Sequence, residues 1–184
     1  MQKYKFNIIK IIPVRIILDK FMNINEIRTN ILRPIFSAND IDLTYRTINH
    51  YEKKGLLLSE RGDSRSWRHF SAIEVIWLNL IASLREMGMP LVKVVDLYSK
   101  LFIEGKYGSI DKASFIIKSF EDEIIESIFY KKDLYILIFF DGSYTFHDSS
   151  TLSQWHKGVY KNEPHINIPL KNIIQNIYKK IQDH

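Results

Sequence analysis

A chain of 184 residues, 46% apolar and 26% charged, is long enough to bury a core in one larger or two smaller domains. It contains no cysteine, which excludes disulfides, zinc fingers and thiol-based metal or redox sensing. The formal charge of +5 is unevenly placed: residues 1–71 hold thirteen Lys/Arg against seven Asp/Glu, and residues 72–184 thirteen against fourteen. An N-terminal half that faces a polyanion, joined to a neutral half, accounts for that asymmetry.

In chain order, residues 6–18 are apolar behind Lys3 and Lys5. Lys10, Pro13 and Arg15 interrupt the run and no small-residue cleavage site follows, so it reads as a strand or arm rather than a signal peptide. It is too short and too charged to span a bilayer, and no other segment qualifies, so a cytoplasmic protein without a membrane partner is expected. Residues 25–32 form a short helix before Pro34, and Ser37 caps a brief helix at 38–41. Asp42 and Leu43 make a turn, and Thr44 caps a second helix over 45–54 that stops at Gly55. Leu56 to Leu58 enter a strand, Gly62-Asp63-Ser64 turn the chain, and residues 67–70 return as the second strand of a hairpin.

The segment 44–58, TYRTINHYEKKGLLL, with SWRHFS at 66–71, carries the chemistry. Arg46 can offer a bidentate donor pair to guanine or phosphate, Asn49 can pair with adenine, and His50 can donate to a base or a phosphate. Tyr45, Tyr51 and Lys53 are suited to the backbone, with Thr44 at the helix start. Arg61, Arg65, Arg68 and His69, with Trp67, form a cationic aromatic hairpin that grips phosphates or enters a minor groove. For Tyr51, Trp67 and Phe70 the competing reading is core packing, the usual place for large aromatics. A base-reading helix followed by a basic hairpin is the chemistry of a winged helix-turn-helix on double-stranded DNA.

The periodicity then turns helical over 73–84, ending at Gly88, with Pro90 opening a helix over 91–102 that Gly105 and Gly108 break. Residues 109–129 read as one amphipathic helix, with Ala113, Ile116, Ile117, Phe120, Ile124 and Ile128 on one face. Residues 134–140 and 143–147 are strands around Asp141-Gly142, a type I′ hairpin signal. The first strand is apolar on both faces and should be covered. A short helix at 152–157, an extended piece at 166–168 and a helix over 170–181 complete the chain. The expected fold is α+β: an N-terminal arm (1–34), a winged helix-turn-helix with following helices (35–106), and a small α+β domain around a β-hairpin (107–184) for self-association or effector binding.

TYRTINHYEKKGLL resembles the recognition helix of the MerR family of bacterial transcription regulators, where Arg-Thr-Ile-Arg-Tyr-Tyr-Glu is followed after three residues by Gly-Leu. SRSWRHFS approximates the family's wing through Trp67, Arg68 and Phe70, and LREMGMPLVKV at 84–94 matches the block after it. The resemblance spans residues 35–98. It implies that Arg46 and Tyr51 contact backbone or bases and that Arg61 and Arg68 contact phosphates, in a homodimer that regulates transcription. Asn49 and His50 stand where the family has Arg and Tyr, which implies a different DNA sequence, and Asp42 replaces the turn glycine. The long dimerisation helix that the family carries is missing after residue 102, and residues 109–129 are the expected substitute. Two other roles fit the same residues: an excisionase-like or partition-type architectural DNA-binding protein, and an antitoxin or adaptor module whose hairpin extends a partner's sheet.

No nucleophile–base–acid set, phosphate loop or paired carboxylate stands out, so no enzyme activity and no cofactor are expected. His147, Asp148, His156 and His165 lack the spacing of a metal site. Tyr135, Phe139, Phe140, Tyr144, Phe146, Trp155 and Tyr160 read as sheet core, with a pocket for a small apolar effector as the other reading.

Overall fold

The computed structural model describes residues 14–58, 68–103, 109–110, 117–158 and 162–183. From Val14 the chain is already helical, and α1 (Val14–Leu32) is one helix of 19 residues where an arm and a short helix are expected from sequence. The reason is permissive: no Gly or Pro occurs between Val14 and Leu32, so nothing stops the helix from extending. Ile27 and Ile31 are buried, and Arg28 forms ion pairs with Glu121 and, at 2.7 Å, with Asp122. The helix is part of the packed molecule, not an appendage.

After Pro34, Phe36 makes a two-way backbone bridge with Phe70 (3.0 and 2.7 Å). A single 3-10 turn, Ala38–Asp40, replaces the short helix; Asp40 Oδ2 accepts from the Ser37 amide and hydroxyl, both at 2.8 Å. Helices α2 (Tyr45–Lys53), α3 (Ala72–Glu86) and α4 (Leu91–Tyr98) follow, and α4 continues into a π-helical turn, Ser99–Ile103. Residues 56–58, expected as a strand, are not in one. The Leu56 and Leu57 carbonyls accept instead from Trp77 Nε1 (2.8 Å) and the Tyr98 hydroxyl (3.2 Å), and Phe70 pairs with Phe36. The tip of the expected hairpin lies outside the described residues.

The expected helix over 109–129 is corrected. Two short strands, β1 (Ser109–Ile110) and β2 (Ile117–Lys118), pair antiparallel, and α5 (Phe120–Phe129) begins only after them. A capping box decides the start: Ser119 Oγ accepts from the Asp122 amide (3.1 Å) while Asp122 Oδ2 takes the Ser119 amide and hydroxyl. Apolar spacing of three and four runs through this boundary in the sequence without marking it.

The C-terminal sheet has the order β4-β3-β5, antiparallel throughout, from β3 (Tyr135–Phe139), β4 (Tyr144–His147) and β5 (His165–Pro169). Its turn is not type I′. Phe139 O accepts from the Gly142 amide (3.0 Å) and Ser143 O from the Phe139 amide (2.9 Å); Gly142 alone has positive φ (79°). This is a type I turn over Phe140 and Asp141 with a glycine bulge, the three-residue alternative to the two-residue loop. Helix α6 (Ser149–Trp155) covers the outer sheet face, where Trp155 packs on Phe139 and His165. Helix α7 (Lys171–Gln182) closes the chain against α3 and α5.

Ten of the fifteen residues of α3 are buried, too many for one amphipathic stripe, because α1, α4 and α7 all pack on it. One buried cluster runs from Ile27 and Ile31 through Ile48, Trp77, Leu97 and Phe120 to Ile136, Ile168 and Ile177, on both sides of the boundary expected near residue 106. No helix among the described residues is long and apolar enough to cross a membrane.

Candidate nucleic-acid interface

Helix α2 is set by its ends. Thr44 Oγ1 accepts from the Thr47 amide (3.2 Å) at the start. At the finish Gly55 (φ 68°) donates to Glu52 O and Leu56 to Tyr51 O, a Schellman motif that needs the left-handed conformation glycine adopts cheaply. Ile48 and Tyr51 are buried on one side of the helix, where burial pushes the Tyr51 hydroxyl pKa up against the lowering influence of Arg85. Arg46, Asn49, His50 and Lys53 recur at the three- and four-residue interval that defines one helix face, opposite those two. Arg46, His50 and Lys53 are exposed, Asn49 is half-buried, and Tyr45 flanks them at 56% exposure.

The acid on this helix is compensated. Glu52 accepts from Arg68 Nη1 at 2.6 Å, and the Arg68 side chain is only 6% exposed, with its guanidinium 5.2 Å from the Phe70 ring centroid. Arg68, expected from sequence as a phosphate contact, therefore ties the end of the hairpin segment to the flank of the helix. His69 beside it is exposed. Tyr51, expected as a contact, has its ring in the core. Arg61, Arg65 and Trp67 lie outside the described residues.

Residues 38–101 match the family model of the MerR HTH family regulatory protein. That stretch is a MerR-family helix-turn-helix domain. It runs from the 3-10 turn to the π-helical turn after α4, takes in every described residue of the expected DNA-binding set, and makes this a DNA-binding module of the transcription-regulator class. No curated protein and no solved structure matches the chain.

Trp77 and Tyr98 hold the MerR-family domain's α2 exit through the Leu56 and Leu57 carbonyls. Sequence patterning does not single them out, because an aromatic on an apolar helix reads only as core; Glu52 is missed because its partner is sixteen residues away. The His147, Asp148, His156 and His165 set forms no group that could hold a metal among the described residues.

Proposed function

We propose that the protein is a non-enzymatic, sequence-specific transcription regulator that lays α2 in the major groove of double-stranded DNA as a homodimer. The supporting observation is the single stripe of Arg46, Asn49, His50 and Lys53 along α2, with the helix's acid already neutralised by Arg68. Arg46, Asn49 and His50 face base edges, the groups that specify sequence, while Lys53, Tyr45 and the amides near Thr44 meet phosphates, which set register. Arg61, Arg65 and His69, with Trp67, supply further phosphate contacts. Arg68 acts one step back by holding Glu52 and so the helix, and Tyr51 acts by packing.

Selection of random duplex DNA by the purified protein tests this, with affinity followed from about 50 to 200 mM salt. A two-fold symmetric motif whose half-sites lie about one helical turn apart is the expected result. A steep salt dependence without a motif would replace the regulator with an architectural DNA-binding protein. Absence of binding at low salt would remove DNA from the function.

A further inference from the structure

A cleft of about 510 Å³ lies where the turn between α3 and α4 faces the β3–β4 hairpin and the start of β5. Met87, Met89 and Leu97 line one wall and Phe140 the other; among the described lining residues Lys93 and His165 are ionisable and none is acidic. Two large apolar side chains stand in water at this site, Phe140 at 81% and Met87 at 55% exposure. Covering such side chains is favourable by their apolar area, and their concentration at one concave place marks a binding surface.

Both walls are built rather than loose. Gly88 (φ 86°) ends α3 in a second Schellman motif, with Met89 donating to Leu84 O at 2.9 Å. Across from it, Lys100 Nζ donates to Asp141 O at 3.0 Å, and a Cβ on Gly142 would stand 2.4 Å from Asp96 Oδ2, so the hairpin turn sits hard against α4. A preformed cleft of this size suits a small molecule, and its few polar groups select the ligand's charge.

We propose that this cleft binds a small amphipathic anion: an aromatic or medium-chain aliphatic body in contact with Met87, Met89, Leu97 and Phe140, and a carboxylate or sulfonate toward Lys93. Leu97 in the lining is one residue along α4 from Tyr98, which holds the Leu57 carbonyl beyond α2. The inference rests on the cleft and not on DNA binding, and its test uses no DNA.

The probe is 8-anilino-1-naphthalenesulfonate, titrated by fluorescence into the full-length protein, with decanoate and decanol as competitors. Saturable binding of one probe per chain is expected, displaced at least fivefold more readily by decanoate than by decanol. Lys93→Glu and Phe140→Glu, both at exposed positions, should each weaken it tenfold or more. Val92→Glu, a charge on the exposed neighbouring position of α4 outside the lining, should leave it within twofold. Non-saturable binding, equal displacement by the two competitors, or equal weakening by Val92→Glu would each overturn the assignment. So would a wild-type dimer that binds no probe and that Phe140→Glu dissociates, since the cleft's occupant would then be a second copy of the chain.

Discussion

Arg46 and Arg68 are both cations of the basic N-terminal half, yet one is exposed and the other buried. Arg46 is exposed on the α2 stripe, and Arg46→Ala should weaken binding to the selected sequence by about 1–3 kcal/mol, with the loss concentrated at particular base pairs. A binding assay on point-substituted duplexes checks this; equal loss on every sequence would reduce Arg46 to a phosphate contact. Arg68 is buried against Glu52 and Phe70. Its removal takes a 2.6 Å ion pair from a partly buried carboxylate, so Arg68→Ala should lower the unfolding free energy by about 1–3 kcal/mol. Urea unfolding reads that loss, and Glu52→Gln in the same chain should recover part of it. Unchanged stability with a salt slope reduced by about one unit would mean that Arg68 contacts phosphate directly.

At the scale of elements, short-range hydrogen bonds decide where helices and turns begin. Gly142 carries two demands at once, a φ of 79° and a place where a Cβ would run into the Asp96 and Lys100 side-chain ends. Gly142→Ala should therefore destabilise the protein by about 1–3 kcal/mol while leaving α2 and its base preference unchanged. Thermal unfolding and the selected DNA motif measure the two effects separately. At the start of α6, backbone donation from Thr151, with help from the Ser150 hydroxyl and amide, holds the Asp148 carboxyl down at about 2. The Lys171 ammonium and the Ser149 hydroxyl likewise hold Asp133 below its ordinary value. A depressed carboxylate contributes its stability above its unfolded pKa of about 4 and loses it as pH falls through the folded value. Urea midpoints should thus drop between about pH 4 and pH 2, and Asp148→Asn should flatten part of that limb. An identical acid limb in the variant would remove Asp148 from the balance.

At the scale of the molecule, the MerR-family domain and the C-terminal half share one buried cluster, with α1 and α7 both packed on α3. A fragment of residues 35–106 would expose the α3 surface that α1 and α7 cover. It should lack a cooperative thermal transition, whereas the whole chain should unfold in one step by far- and near-ultraviolet circular dichroism alike. A folded, cooperative fragment would support the two-domain organisation expected from sequence.

What the sequence determines here is local. The TYRTINHYEKKGLL segment, the Thr44 cap and the Gly55 stop fix α2, because the groups that satisfy its end amides and carbonyls lie within four residues of it. The apolar, aromatic runs on either side of Asp141 and Gly142 similarly determine a hairpin. The turn type escapes it: Asp-Gly fits both two- and three-residue loops, and the contact with α4 favours neither within the local sequence. The tertiary structure alone decided that α1 packs on α5 through Arg28, that Phe70 pairs with Phe36, and that Arg68 serves Glu52. It also brought the α3–α4 turn to the hairpin to make the cleft. Each of these joins residues far apart along the chain, 94 positions for Arg28 and Asp122. Helical periodicity and capping carry no information about which distant partner a side chain meets, so only the packed core could select it.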